Sequence, residues 1–394
     1  MTRAWIALAS AVLLWRAIAV NALLYDEDGR PAVVASPRAL EGNARDADRG
    51  VLEAILRENP ANALAYLGLA SRLQAAGEAP RAARAFAAAY EVAPTDRDVL
   101  VSVAGNLLAA GRTSEALPLL GTAVENYADV REWGFAVLAQ VLSSGLDPKA
   151  WNAIVERDPA WLGDFVRASC RKGMDPAVLA PLFLRRAAKG AASREETGCL
   201  VQRLRASGRW DEAYQLWLDS LPRERLADVG FVFNGGFEFP ASGIGFDWIP
   251  DTSLERDSGH GVEFSRTRGA TGERALRVAY TGKRQSGVPI AQYLSLPPGR
   301  YSLSGLARPE RVSAGHGARW TVRCVGPGEA LSEPVAASDR FVGSSDWERF
   351  AFDVAIAPGC RGQLLQLEPM ASGAGPVFLA GNLWFDNLVL EQYH

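Results

Sequence analysis

The sequence predicts a multidomain chain of two successive classes, an α-solenoid followed by an antiparallel β-sandwich. Three observations predict it. Apolar, small and glycine positions recur with a 34-residue period in the first half, the apolar period falls to two beyond Pro222, and Gly, Pro, Ser and aromatic residues become more frequent at the same point. At 394 residues the chain can bury two or three separate cores, and 48% hydrophobic against 22% charged residues is an ordinary globular balance with no disordered signature.

The N-terminus, "MTRAWIALASAVLLWRAIAVNALLYDEDGR", places Arg3 before an apolar run from Ala4 to Trp15, interrupts it with Arg16 and resumes it to Tyr25. A short basic start, about a dozen apolar residues and small residues afterwards describe a signal peptide over 1–25. The same stretch is about long enough to span a bilayer as an anchor, with Arg16 as the cost. Either reading exports the rest of the chain to the periplasm or to the periplasmic face of an inner membrane. A buried first helix is the remaining alternative.

Helical repeats are expected over 39–223. Tyr66, Leu69, Ala70 and Leu73 line one helix, Gly77 turns, and Ala82, Phe86 and Ala89 line the next before Pro94. A shift of 34 gives Leu100, Val103, Ala104 and Leu107, then Gly111, then Ala116, Leu120 and Ala123. Small residues recur where helices approach closely and larger ones fill the holes beside them. In "REETGCLVQRLRASGRWDEAYQLWLDSLP" the same order returns as Leu200, Val201, Leu204, Gly208, Ala213, Trp217 and Pro222. These positions resemble the tetratricopeptide repeat. The resemblance implies a stacked superhelix whose concave surface holds a protein partner.

From 230 to 394, "RALRVAY", "AQYLSL", "YSLSGLAR", "RWTVRCV", "ERFAFDVAI", "QLLQLEP" and "LWFDNLVLEQ" alternate apolar and polar residues between turn signals. Seven or more short strands in one segment predict a sandwich, and "VFNGGFEFPASGIGFDWIP" reads as its first strand and loop. Asn234, Gly236, Phe237 and Glu238, then Trp248, "GERALRV", Gln292 with "LPPGRYSLSGLAR", "DWERFAFDV" and "WFDN" occur in an order that resembles the jelly-roll carbohydrate-binding modules of galactose-binding-like fold. That resemblance implies a structural calcium, with Glu238 and Asp386 at the matching acidic positions; a clamp tying the chain ends together by hydrogen bonds is the alternative. It also implies polysaccharide binding. Sugar sites pair aromatic faces with planar polar groups, which makes Trp248, Gln292, Tyr293, Trp320, Trp347, Trp384 and Asn387 the candidates, led by Trp248 for its loop setting.

The net charge of −3 is spread evenly, with 15 basic against 17 acidic residues from Phe231 onward, so neither half offers a phosphate-binding surface and nucleic acid is excluded as a partner. Cys324 and Cys360 are the disulfide candidates, whereas Cys170 and Cys199 read more as buried thiols. No cysteine pair has zinc-ligand spacing. The chain lacks a G-x-S-x-G elbow, a phosphate-cradling loop and an H-E-x-x-H helix. Asp346, Glu348, Asp353 and Glu368 supply carboxylates without a spacing that selects a glycosidase pair. The expectation is therefore a non-enzymatic exported adaptor whose repeats hold a protein and whose sandwich holds a glycan. The order of leader, repeats, "GRWDEAYQLWL" and "VFNGGFE…FDW" is also similar to bacterial repeat proteins of envelope or exopolysaccharide production, which implies work in polysaccharide assembly or export. The competing expectations are an assembly protein whose sandwich no longer binds sugar, and a glycan-processing enzyme.

Overall fold

The computed structural model describes residues 47–393 apart from 146–147, 252–258, 268–270, 286, 314 and 372–375. The leader expected over 1–25 lies outside the described residues. The chain divides into two units between Trp151 and Asn152.

The first unit is helical: α1 (Arg49–Glu58), α2 (Ala63–Ala75), α3 (Ala79–Val92), α4 (Arg97–Ala109), α5 (Thr113–Asn126), α6 (Arg131–Ser143) and the start of α7 (Pro148–Arg157). The period is visible in the structure, since Ala63 to Arg97, Ala79 to Thr113 and Arg97 to Arg131 are each 34 residues. Capping fixes where the helices begin. Asn62 accepts from the Ala65 N–H, and Asp96 accepts from the Asp98 and Val99 N–H groups, satisfying donors that the first helical turn leaves open. Each hairpin turns on a glycine at positive φ, Gly77 at +76° and Gly111 at +72°, with the next residue's N–H donating back to Leu73 and Leu107. Ala70, Ala82 and Ala89, and their counterparts Ala104, Ala116 and Ala123, are buried at the helix crossings, as the repeat pattern requires.

The second unit joins the remaining helices to the sandwich. Its helices are α8 (Trp161–Arg171), α9 (Pro176–Ala188), α10 (Arg194–Ala206) and α11 (Trp210–Asp219). Cys170 on α8 and Cys199 on α10 form a disulfide with Cα atoms 6.3 Å apart, which corrects their reading as buried thiols. They sit on facing helices close enough for the bond, a proximity that a separation of 29 residues does not reveal. Beside it, Arg186 is buried between Glu196, at 3.1 Å, and Asp158. Glu196 also closes a capping box with Ser193 at the start of α10.

The sandwich has two five-stranded sheets, in the orders β1-β4-β9-β6-β7 and β2-β3-β10-β5-β8, in which every pairing is antiparallel. The strands are β1 (Ile249–Pro250), β2 (His260–Arg266), β3 (Arg274–Arg284), β4 (Ile290–Leu294), β5 (Gly299–Glu310), β6 (His316–Val325), β7 (Leu331–Ala337), β8 (Glu348–Ile356), β9 (Gly362–Ala371) and β10 (Phe378–Tyr393). All seven runs read from the sequence are strands. The expected first strand is not: Phe231–Phe239 is a chain of turns with Asn234 and Phe237 at positive φ, and pairing begins only at Ile249. Between the sheets lies one core that includes Trp248, Trp320, Tyr301, Leu276, Leu365 and Phe385. Cys324 and Cys360 are joined, as expected, across the end of β6 and the loop before β9.

The last helical hairpin and the sandwich share an aromatic seam. Trp210, Tyr214 and Trp217 of α11 pack on Phe246, Phe233 and Tyr293, with ring centroids 5.0 to 6.3 Å apart. Gly245 at φ +68° lets the chain pass under Trp217, where a Cβ would stand 2.2 Å from the indole. Arg205 from α10 donates to Gly245 O at 2.9 Å.

Candidate functional site

The candidate sugar contacts do not converge. Trp248 is 0% exposed; its indole donates to Asn234 O at 3.0 Å and packs on Phe237 and Trp320, so the expected exposed platform is a core residue. The Gly- and Pro-flanked loop folds inward instead of outward. Asp247 directs that path, accepting from the Ser242 and Trp248 N–H groups, and burial holds its carboxyl above the usual carboxylate range. Trp320 and Gln292 are equally inaccessible. Gln292 accepts from Phe233 N–H and donates to Phe233 O, replacing the strand pairing that the turn segment cannot make.

Tyr293 is half-buried on the outer face of the β1-β4-β9-β6-β7 sheet, but the Arg205 guanidinium lies 3.6 Å from its ring centre and occupies the face that a sugar would use. Trp347 is on the opposite side of the sandwich. There Arg308 stacks 5.1 Å from Trp347 and 4.8 Å from Trp384, and Arg277 caps Trp384 from the other side. Asn387, at φ +51° in the β10 bulge, donates to the Thr271 hydroxyl and belongs to a third location.

That third location is the expected acidic pair. Glu238 accepts from the Glu273 and Arg274 N–H groups, and Asp386 accepts from Thr271 and Asn387 N–H groups at 2.7 and 2.8 Å. Burial and the nearby Glu238 charge push the Asp386 carboxyl up to about 6. Two carboxylates held this close fit a divalent cation in charge, while the four peptide donors fit a chain-end clamp. Among the described residues no three His, Cys, Asp or Glu side chains cluster as a metal site.

A polar row that the sequence did not assemble lies on β6 and β9, with Arg319, Arg323 and Glu368 partly exposed and Thr321 and Gln366 buried. On β6 the core takes Ala318, Trp320 and Val322, so Arg319, Thr321 and Arg323 face outward; on β9 it takes Leu365 and Leu367, so Gln366 and Glu368 do. Register sets Arg319 opposite Glu368 and Thr321 opposite Gln366. Arg323 binds Glu368 Oε1 through Nε at 2.8 Å and Nη2 at 2.7 Å and donates to Ser332 O, and Gln366 Nε2 donates to the same carboxylate oxygen at 2.6 Å. Thr321 Oγ1 and Arg319 Nε are buried and have no hydrogen-bond partner among the described residues. The signal was present as polar residues at alternate positions Arg319, Thr321 and Arg323 and again at Gln366 and Glu368, but nothing local says that these two strands are neighbours.

No protein-family model matches the chain, and no curated protein matches it. Solved structures do. One described as "CBM4 structure and function" is 14% identical, with 41% of this chain and 99% of that one covered at a TM-score of 0.31. The xylan-binding domain from CBM 22 is 15% identical, with 42% and 96% covered at 0.30. The enzymatically active domain of a bacteriophage CBA120 tailspike protein is 9% identical, with 34% and 18% covered at 0.24.

Proposed function

We propose that this protein is a non-enzymatic, exported adaptor whose sandwich binds a glycan on the outer face of the β1-β4-β9-β6-β7 sheet. The observation that carries the reading is the row of Arg319, Arg323 and Glu368, partly exposed planar charged groups aligned on two registered strands above the buried Thr321 and Gln366. Such groups suit sugar hydroxyls, and their mutual hydrogen bonds fix them before a ligand arrives. Glu368, the carboxylate of the row, is neutralised by Arg323, which suits binding better than proton transfer.

The helical hairpins of the first unit supply the surface for a protein partner, in polysaccharide assembly or export. Export is supported by the pairing of all four cysteines into two disulfides, which persist in oxidising compartments. Among the described residues no helix is long and apolar enough to cross a membrane. A calcium ion held by Glu238 and Asp386 would neutralise their two charges and tie the turn segment to β10.

Affinity electrophoresis of the whole chain in gels containing neutral and acidic envelope polysaccharides tests the reading. Retardation that Arg323→Ala and Glu368→Gln abolish is the expected result. An unretarded wild type on every polysaccharide would remove glycan binding and leave an assembly protein.

A further inference from the structure

Resting on that reading of the sheet face, we infer that the glycan it takes is acidic, with a sugar carboxylate bound at Arg319. The charged groups of the row are unequally saturated. The β6 and β9 row carries two guanidinium groups, Arg319 and Arg323, and one carboxylate, which is committed: Glu368 Oε1 receives Nε and Nη2 of Arg323, at 2.8 and 2.7 Å, together with the Gln366 amide. Arg323 spends its remaining contact on Ser332 O. Arg319, directly opposite Glu368 in the ladder, reaches Glu368 Oε2 only at 4.0 Å, beyond hydrogen-bond range. Among the described residues it makes no hydrogen bond, and its Nε is sealed from solvent without an acceptor.

Arg319 is thus a positive charge fixed on a strand, 28% exposed at its side chain, with its donors unspent. A guanidinium in that state is matched best by a planar carboxylate that takes two parallel N–H bonds. A neutral sugar would leave the charge offset only by the 4.0 Å approach of Glu368 and would fill its fork with single hydroxyl contacts. The neighbouring Gln366, buried beneath the row, gives its Nε2 to Glu368 and so holds that carboxylate to the Arg323 side. The ligand class is therefore a polysaccharide with uronic-acid or other carboxylated residues.

The test compares polygalacturonate with its fully methyl-esterified form, which has the same sugar and linkage without the charge, using the whole chain in affinity electrophoresis or calorimetry. The expected result is a preference for the acid of about tenfold, the value of one charge-assisted contact, that weakens as salt screens it. Arg319→Gln should erase the preference while the melting temperature stays near that of the wild type, since the lost side chain holds no hydrogen bond. Equal binding of acid and ester, or a preference that survives Arg319→Gln, overturns the acidic class and leaves the sugar-binding reading in place. Failure to bind polygalacturonate while a neutral polysaccharide is bound does the same, and failure to bind any polysaccharide removes both.

Discussion

Replacing Gly362 by alanine tests how the helical hairpin is held to the sandwich. Gly362 opens β9 beneath Trp210, and a Cβ built there would lie 2.1 to 2.3 Å from three indole atoms, where ordinary contact begins at 3.4 Å. The backbone at 362 is not at positive φ, so the methyl group acts by collision alone. The indole must retreat by about 1 Å or leave its place, and it is buried against Phe246 and Tyr293. Overpacking of this kind costs about 1–3 kcal/mol and loss of a buried tryptophan about 3–5 kcal/mol, so Gly362→Ala should destabilise the second unit by about 2–4 kcal/mol. At Gly359, three residues earlier, an added Cβ would meet no atom within 4 Å, so Gly359→Ala serves as the control, with an expected change within about 0.5 kcal/mol. Urea unfolding followed by tryptophan fluorescence reads both. In the Trp210→Ala background Gly362→Ala should add little, because the collision partner is gone. A Gly362→Ala chain as stable as the Gly359→Ala chain would refute the seam.

Three other outcomes follow from the same structure. Glu196→Ala leaves Arg186 buried with only Asp158 to neutralise it and removes half of a capping box, so urea unfolding should register a loss of about 3–5 kcal/mol; a loss below about 1 kcal/mol would mean the pair is solvated. Asp386 titrates at about 6 in the native chain against about 4 when unfolded, so the folded state holds the extra proton between these values and stability falls as pH rises from about 4 to about 6. Asp386→Asn should flatten that slope, and millimolar calcium should raise the melting temperature above pH 6; a melting temperature indifferent to calcium and to chelator removes the ion from this site. The Cys170 and Cys199 bond closes a separation of 29 residues, worth about 3.5 kcal/mol in the chain-entropy account. The double alanine variant should unfold at correspondingly lower urea, and an unchanged midpoint would mean the bond does not constrain the unfolded chain.

The sequence disclosed what depends on local period. The 34-residue spacing set the hairpins because small residues and turn glycines must recur wherever two helices cross, and seven strands were legible from alternation. What it hid depends on who meets whom. Trp248 looked exposed because glycine and proline flank it, yet Asp247 turns the loop inward by bonding two peptide N–H groups. Gln292 looked like a ligand group and is a surrogate for strand pairing to Phe233. Glu238 and Asp386 do converge, an encounter across nearly the whole sandwich sequence that the family resemblance implied and composition did not. Arg319 stood unremarked and Glu368 was only one of four unpaired carboxylates, because the adjacency of their two strands is a matter of topology.

The seam also explains why the polar row, and not an aromatic platform, is the part of this face left for a ligand. Tyr293 is the aromatic side chain that β4 turns outward, and α10 has already covered it: Arg205 stacks on the ring, donates to Gly245 O and pairs with Glu329 at 3.3 Å, so its charge is spent within the fold. Trp210 covers the adjoining start of β9. The helices therefore consume the apolar end of the sheet, where stacking on a pyranose ring would have been possible, and leave rows whose side chains offer hydrogen bonds and charge. Of the two guanidinium groups in those rows Arg323 is saturated by Glu368, so on the proposed reading a ligand carboxylate would meet Arg319. On the proposed reading selectivity would come from where a ligand carries its carboxylate and hydroxyls, because Tyr293, the ring that β4 turns outward, is already covered by Arg205.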